Sequence, residues 1–212
     1  MGAPHNALRL GVLISGTGTN LGAILDAVAA GRLGARVELV ISNKPGVLGL
    51  ERAATAGVPT CVLAHAGFPS REAFDAAIVE ALRAASVDVV VLAGFMRVVT
   101  DVLLDAFPDR VINVHPALLP AFPGVDAQAQ ALAYGVTVSG CTVHFVDRGV
   151  DTGPIILQRA VPVHPSDDRD ALAKRILAEE HLALVEALQL IVERRVAVVR
   201  EDARRPRVAV RA

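Results

Sequence analysis

Cysteine is almost missing from this sequence: of 212 residues only Cys61 and Cys141 carry thiols. They stand far apart, without the paired spacing of a zinc or thioredoxin-like site, so two buried thiols in a reducing compartment are expected. No disulfide framework is needed, because a chain of this length hides about 70% of its unfolded surface without staples. Net charge is equally scarce. The 21 Lys and Arg residues against 22 Asp and Glu leave a formal net charge of -1. That gives no global basic field to hold a nucleic-acid backbone by counterion release. Long apolar runs are lacking too. The longest, Val89 to Met96, stops far short of the roughly 18 residues of a membrane span. The run Leu10 to Ile14 ends in a glycine-rich stretch where a signal peptide has its small-residue cleavage site. Met1-Gly2 is followed by Asn6 where myristoylation wants Ser or Thr. By elimination a cytoplasmic protein is expected, with neither nucleic-acid nor membrane partners.

What is present is apolar residues at 53% and charged residues at 20%, the composition of a soluble globular domain or a pair of small ones. Val- and Ile-rich runs recur at Leu8 to Ile14, Val37 to Ile41, Cys61 to Leu63, Val89 to Leu92 and Val111 to Val114. Segments of helical periodicity lie between them, such as Ser70 to Ser86, with Ser70 as N-cap, Glu72 in the first turn and Phe74, Ile78, Ala81 and Leu82 on one stripe. Continuous apolar runs suit strands covered on both faces, so the fold class is α/β: a Rossmann-like, open, mostly parallel twisted sheet with helices on both faces. After the proline-rich loop His115 to Gly124, the strand-like stretches Thr142 to Val146 and Pro154 to Val163 predict a partly antiparallel C-terminal extension. A long helix follows, N-capped by Ser166 and periodic to Val192. The stretch from Arg200, with Arg204, Arg205 and Pro206, reads as a solvated, mobile tail.

Four groups of residues can carry chemistry. Ser15-Gly16-Thr17-Gly18-Thr19-Asn20 lies between a strand and a helix beginning near Asn20, where free N–H groups and the helix dipole favour an anion. A tight turn without a ligand is the alternative. Leu21 replaces the third glycine of a dinucleotide fingerprint, and Ser42-Asn43-Lys44 stands where its acidic residue belongs, which disfavours NAD. The hydroxyls of Thr17 and Thr19 fit a single phosphate monoester better. Asn113 and His115 share one face at the carboxyl end of a buried strand, where open α/β sheets place ligands; a satisfied structural histidine is the alternative. Asp151 sits in the turn Val150 to Pro154, with His144 upstream, and either caps its own backbone or serves a site. Asp151-Thr152-Gly153 is also the aspartic-protease triplet, but one copy beside a parallel-sheet pattern does not fit that pairwise chemistry. Glu180 falls on the apolar stripe of the last helix with Leu172, Ile176, Ala183, Ala187, Leu190 and Ile191. That position is costly unless the carboxylate is paired or opens on a cleft.

These motifs, in this order over nearly the whole chain, resemble folate-dependent phosphoribosylglycinamide formyltransferase. The likeness runs through the SGTGTN loop, Ser42-Asn43-Lys44, Ser70-Arg71-Glu72, Val89 to Arg97, Asn113-Val114-His115-Pro116 with Leu118-Leu119-Pro120, and Val143 to Pro154. The resemblance implies a single domain over 1–212. Its parts would be a phosphate-binding half at 1–114, a catalytic and folate-binding half at 115–199, and the tail at 200–212. It implies that Gly18, Thr19 and Asn20 hold a ribonucleotide phosphate and that Glu180 binds the ribose hydroxyls. Arg71, Met96, Arg97 and Val99, with backbone near Asp147 to Val150, would form a folate cleft, and Asn113, His115 and Asp151 would be catalytic. The cosubstrate implied is 10-formyltetrahydrofolate and the partners are small molecules, with monomer and homodimer both open. A metal is not implied, because His115 and Asp151 lack a third and fourth ligand. Ala117, where many members have Ser, and Asp126-Ala127-Gln128, where His is frequent, depart from the pattern. The rival formyltransferase acting on methionyl-tRNA and the formyltetrahydrofolate hydrolase are expected to carry an extra domain. From another class, a phosphometabolite-binding protein would keep the glycine loop and have no use for Asn113, His115 and Asp151.

Overall fold

Each apolar run becomes a strand in the computed structural model, which describes residues 7–201 and 205–211. The myristoylation reading at Met1-Gly2 lies outside them. The chain forms two compact units, Met1–Ile112 and Asn113–Ala212. Its strands make a mostly parallel seven-stranded sheet and a separate two-stranded antiparallel sheet.

In the first unit β1 (Leu8–Ile14) lies between β2 (Ala35–Ser42) and β4 (Val89–Leu92), and β3 (Thr60–Val62) adds to β2, all parallel. β4 is buried throughout and β1 from Leu10 onward, as expected of strands with both faces covered. The connections are α1 (Thr19–Ala29), α2 (Leu48–Thr55) and α3 (Arg71–Ala84); α4 (Asp101–Ala106) follows β4. Ser70 caps α3 as expected, accepting from the Ala73 N–H at 3.1 Å. Successive strands run outward through β2 and β3 and then return to the other side of β1. The carboxyl ends of β1 and β4 therefore flank a topological switch point, the usual ligand crevice of such sheets.

The second unit takes up β5 (Val111–His115) at Asn113 and continues with α5 (Ala127–Tyr134), β6 (Val138–Phe145), β7 (Ile155–Pro162) and α6 (Arg169–Val192). β7 pairs antiparallel to β6, which is the predicted extension. α6 lays Leu172, Ile176, Ala183, Leu184, Ala187 and Leu188 into the core. Arg159 of β7 ties to the same helix through Glu179 at 3.2 Å and Glu186 at 2.5 Å.

Three expectations are corrected. The N-cap of α6 is Asp168, which accepts from the Ala171 N–H at 2.8 Å, and not Ser166; two aspartates follow Ser166, and the second has the geometry a cap needs. The tail does not stay a solvated end. β8 (Val196–Val199) and β9 (Arg207–Val210) form a hairpin in which Val196 faces Val210 and Val198 faces Val208. β-branched pairs across two short strands outweigh the charged composition between them. Arg204 lies outside the described residues. Of the two thiols only Cys141 is buried, while Cys61 is half-buried on β3. Among the described residues no helix is long and apolar enough to cross a membrane.

Candidate functional site

In the first unit, the loop after β1 meets the segment after β4. The Ser15 N–H donates to the Gly94 carbonyl at 3.2 Å, and the Met96 N–H donates to Ser15 Oγ at 2.9 Å. Gly18 forms the N-cap of α1 in the left-handed region at φ 66°, with no side-chain cap and no acidic residue in the first turn. The start of α1 therefore carries the positive end of the helix dipole with no side-chain cap on it. Thr19 is half-buried and Asn20 buried at this end.

The same unit gathers Arg71, Met96, Arg97 and Val99 into one patch. Arg71 Nη2 donates to the Val98 carbonyl at 2.6 Å. The Arg97 guanidinium lies 5.0 Å over the Phe74 ring, which in turn stacks on Phe95. Val99 is buried, whereas Met96 is 73% exposed. Of the residues that the resemblance assigns to a folate cleft, these four lie in the first unit, and the exposed stretch Asp147 to Val150 lies in the second.

The second unit assembles the polar cluster. Asn113 and His115 share a face of β5, and Asp151, remote in sequence, comes to them on the turn between β6 and β7. His115 Nδ1 lies 3.3 Å from Asp151 Oδ2, and His115 Nε2 lies 2.8 Å from the Phe122 carbonyl. Both ring nitrogens therefore face acceptors. Asp151 Oδ2 also accepts from the Gly124 N–H at 2.7 Å. The loop Phe122 to Gly124 thus holds the imidazole with one carbonyl and the carboxylate with one amide.

His144 completes the group, and sequence reasoning named it only as an upstream neighbour. Its Nδ1 lies 2.8 Å from the Phe145 carbonyl, so Nδ1 carries the hydrogen and Nε2 accepts. The donor to Nε2 is Asn113 Nδ2 at 3.3 Å, and Asp151 Oδ1 stands 3.8 Å away. A register shift in the β6–β7 ladder falls at His144, the local irregularity that re-aims side chains beside sites. The signal in the sequence was Thr142 and His144, polar at i and i+2 inside an apolar strand. Both are buried. Thr142 donates to the Ala117 carbonyl at 2.6 Å and accepts from the Leu119 N–H at 3.0 Å, pinning the loop that follows His115.

Burial lowers the pKa of His144 from its ordinary 6.5, against the raising effects of the Phe145 carbonyl and Asp151. A histidine held neutral in the fold and protonated when unfolded subtracts stability as pH falls below its unfolded value. Wild-type unfolding free energy is therefore expected to drop as pH falls below about 6.5, by at most about 1.4 kcal/mol per pH unit from this group, and that of His144→Gln to drop less. Equal pH slopes in urea titrations of the two proteins would contradict the assignment.

Glu180 is buried, 7% exposed, on the core face of α6. With burial as the larger cause, its charge helps push the Cys141 thiol of β6 up to about 12. None of the hydrogen bonds described for Asn113, His115 and Asp151 involves Glu180.

Residues 8–188 match the formyl transferase family. The chain is 54% identical over 186 residues to the Drosophila melanogaster trifunctional purine biosynthetic protein adenosine-3, covering 87% of this chain but only 14% of that protein. It is 47% identical over 196 residues to the Mycobacterium tuberculosis phosphoribosylglycinamide formyltransferase, covering 92% of this chain and 90% of that one. The solved glycinamide ribonucleotide transformylase 1 of Symbiobacterium toebii superposes with a TM-score of 0.92 at 54% identity, over 98% of this chain and 95% of its own. Fold and matches together define an α/β protein of the formyl transferase kind. The chain belongs to the formyl transferase family and, within it, to the phosphoribosylglycinamide formyltransferases.

Proposed function

We propose that this chain transfers the formyl group of 10-formyltetrahydrofolate to the glycyl amine of N1-(5-phospho-D-ribosyl)glycinamide, a step of de novo purine (IMP) biosynthesis in the cytoplasm. The observation that supports the reading is the 3.3 Å approach of His115 to Asp151, two residues remote in sequence, beside Asn113 on the same strand as His115. Gly18, Thr19 and Asn20 hold the phosphate and Glu180 the ribose hydroxyls. Arg71, Met96, Arg97 and Val99, with backbone near Asp147 to Val150, hold the folate.

The folate supplies an activated formyl carbon. An amine with a pKa near the α-amino range, about 7.7 to 8, is partly neutral at pH 7 and needs no strong base to become a nucleophile. As it adds to the formyl carbon, negative charge grows on the formyl oxygen. Asn113 keeps its second amide hydrogen for that oxygen, and His115 supplies a cation beside it. Each such donor contributes roughly 2.7 to 4 kcal/mol. Asp151 orients His115 and sustains its protonated form. It also helps carry the proton lost by the amine to the departing folate nitrogen, so that protons balance when the C–N bond to the folate breaks.

The test is direct. Purified protein mixed with the glycinamide ribonucleotide and a 10-formyl folate should yield formylated ribonucleotide and deformylated folate in equal amounts. Absence of product at generous enzyme concentration would leave the phosphometabolite-binding alternative in its place.

A further inference from the structure

The phosphate loop Ser15 to Asn20 contains no cationic residue, and its carbonyls are held by α2. The Gly49 N–H donates to the Gly16 carbonyl at 3.1 Å. Arg52 Nε donates to the Thr17 carbonyl at 3.0 Å. In a trans peptide the C=O and the following N–H point opposite ways. Two carbonyls turned toward α2 therefore turn the N–H groups of Thr17 and Gly18 away from it, next to the leading N–H groups of α1.

The contact is backbone against backbone. A Cβ at Gly18 would stand 2.6 Å from Gly49 Cα, and one at Gly49 would stand 2.5 Å from Ile14 Cδ1 and 3.1 Å from the Gly16 carbonyl oxygen. Only glycine at both positions lets the helix approach this closely. The Arg52 guanidinium runs along the flank of α1, with Nη1 3.7 Å from where a Gly22 Cβ would lie. Among the described residues no carboxylate pairs with Arg52, whose side chain bonds the Thr17 carbonyl. The groove beyond it between α1 and α2, about 500 Å³, also carries Asp26 and Glu51. Those carboxylates make the groove itself unsuited to an anion and leave the loop as the place for one.

We propose that Arg52 is a positioning residue for the substrate's phosphate: its Nε fixes the Thr17–Gly18 peptide so that the loop N–H groups converge, and its remaining charge supplies the cation the loop lacks. The inference rests on the phosphoribosylglycinamide reading above and adds to it a residue that no motif singled out.

The experiment compares wild type, Arg52→Met and Arg52→Lys on the phosphorylated substrate and on the same ribosylglycinamide without phosphate. Wild type comes first: if it makes no formylated product, the functional reading fails before Arg52 is tested. With wild type active, Arg52→Met is expected to raise KM for the phosphorylated substrate about tenfold, as for a lost charge-assisted contact. Its kcat, its KM for the folate and its kcat/KM on the phosphate-free substrate should stay within about twofold of wild type. Arg52→Lys, which keeps a cation, should fall between the two. An unchanged KM, or equal losses on both substrates, would overturn the proposal, and a lysine variant no better than the methionine one would overturn its electrostatic half. Arg52 is exposed, so the thermal midpoint of each variant should match wild type and separate loss of binding from loss of fold.

Discussion

Asp151→Asn is expected to lower kcat by about 10²- to 10⁴-fold, the range of positioned acid–base groups, while KM for either substrate moves by less than about threefold. The substitution is isosteric. It leaves an oxygen for the Gly124 N–H that now bonds the carboxylate at 2.7 Å. It is also tolerated by the backbone: Asp151 has φ 53°, in the left-handed region that asparagine visits as readily as aspartate. What disappears is negative charge 3.3 Å from the His115 ring and the capacity to take a proton. If His115 works as a cation beside the developing oxyanion, an amide at 151 no longer sustains it. Steady-state kinetics with both substrates varied, on enzyme of unchanged thermal midpoint, check the split. Near-normal turnover would take Asp151 out of the mechanism.

Much of this architecture was legible because its physics is local. Val89–Leu92 is apolar without alternation, and both its faces are covered. Asn113 and His115 were placed on one face by period two alone. Burial on α6 follows its apolar stripe at about 100° per residue from Leu172 to Ala187, with Glu180 on it, while Leu190 and Ile191 are only half-buried. The gaps have a different origin. The approach of Asp151 to His115 spans a loop, α5, β6 and a turn, and no periodicity encodes it; only the family likeness supplied the pairing. His144 escaped because its function depends on which ring nitrogen carries the hydrogen, and that is set by a neighbouring carbonyl. The C-terminal hairpin escaped because its two strands are only four residues each and flank a charged stretch that dominates composition. Arg52 escaped because what it contacts is a main-chain oxygen 35 positions away, and main-chain partners leave no trace in side-chain pattern.

Removing the Asn113 amide with Asn113→Ala is expected to cost about 10²- to 10³-fold in kcat, the loss measured when one oxyanion donor is deleted elsewhere. His144 makes this prediction sharper. With Nδ1–H committed to the Phe145 carbonyl, its Nε2 holds the Asn113 nitrogen at 3.3 Å and thereby fixes which way the amide faces. His144→Phe cannot accept, so the amide is released and its free hydrogen is no longer aimed. A loss of about tenfold in kcat is expected from misorientation alone. Because His144 acts only through Asn113, the two effects should not add. The double variant Asn113→Ala, His144→Phe should then turn over at nearly the rate of Asn113→Ala, and the cycle should return most of the His144 effect as coupling. Additive losses would mean that His144 touches the reacting atoms itself or acts through Asp151, whose Oδ1 stands 3.8 Å from it. A parallel cycle with Asp151→Asn separates those two cases, since coupling would then appear between His144 and Asp151 instead.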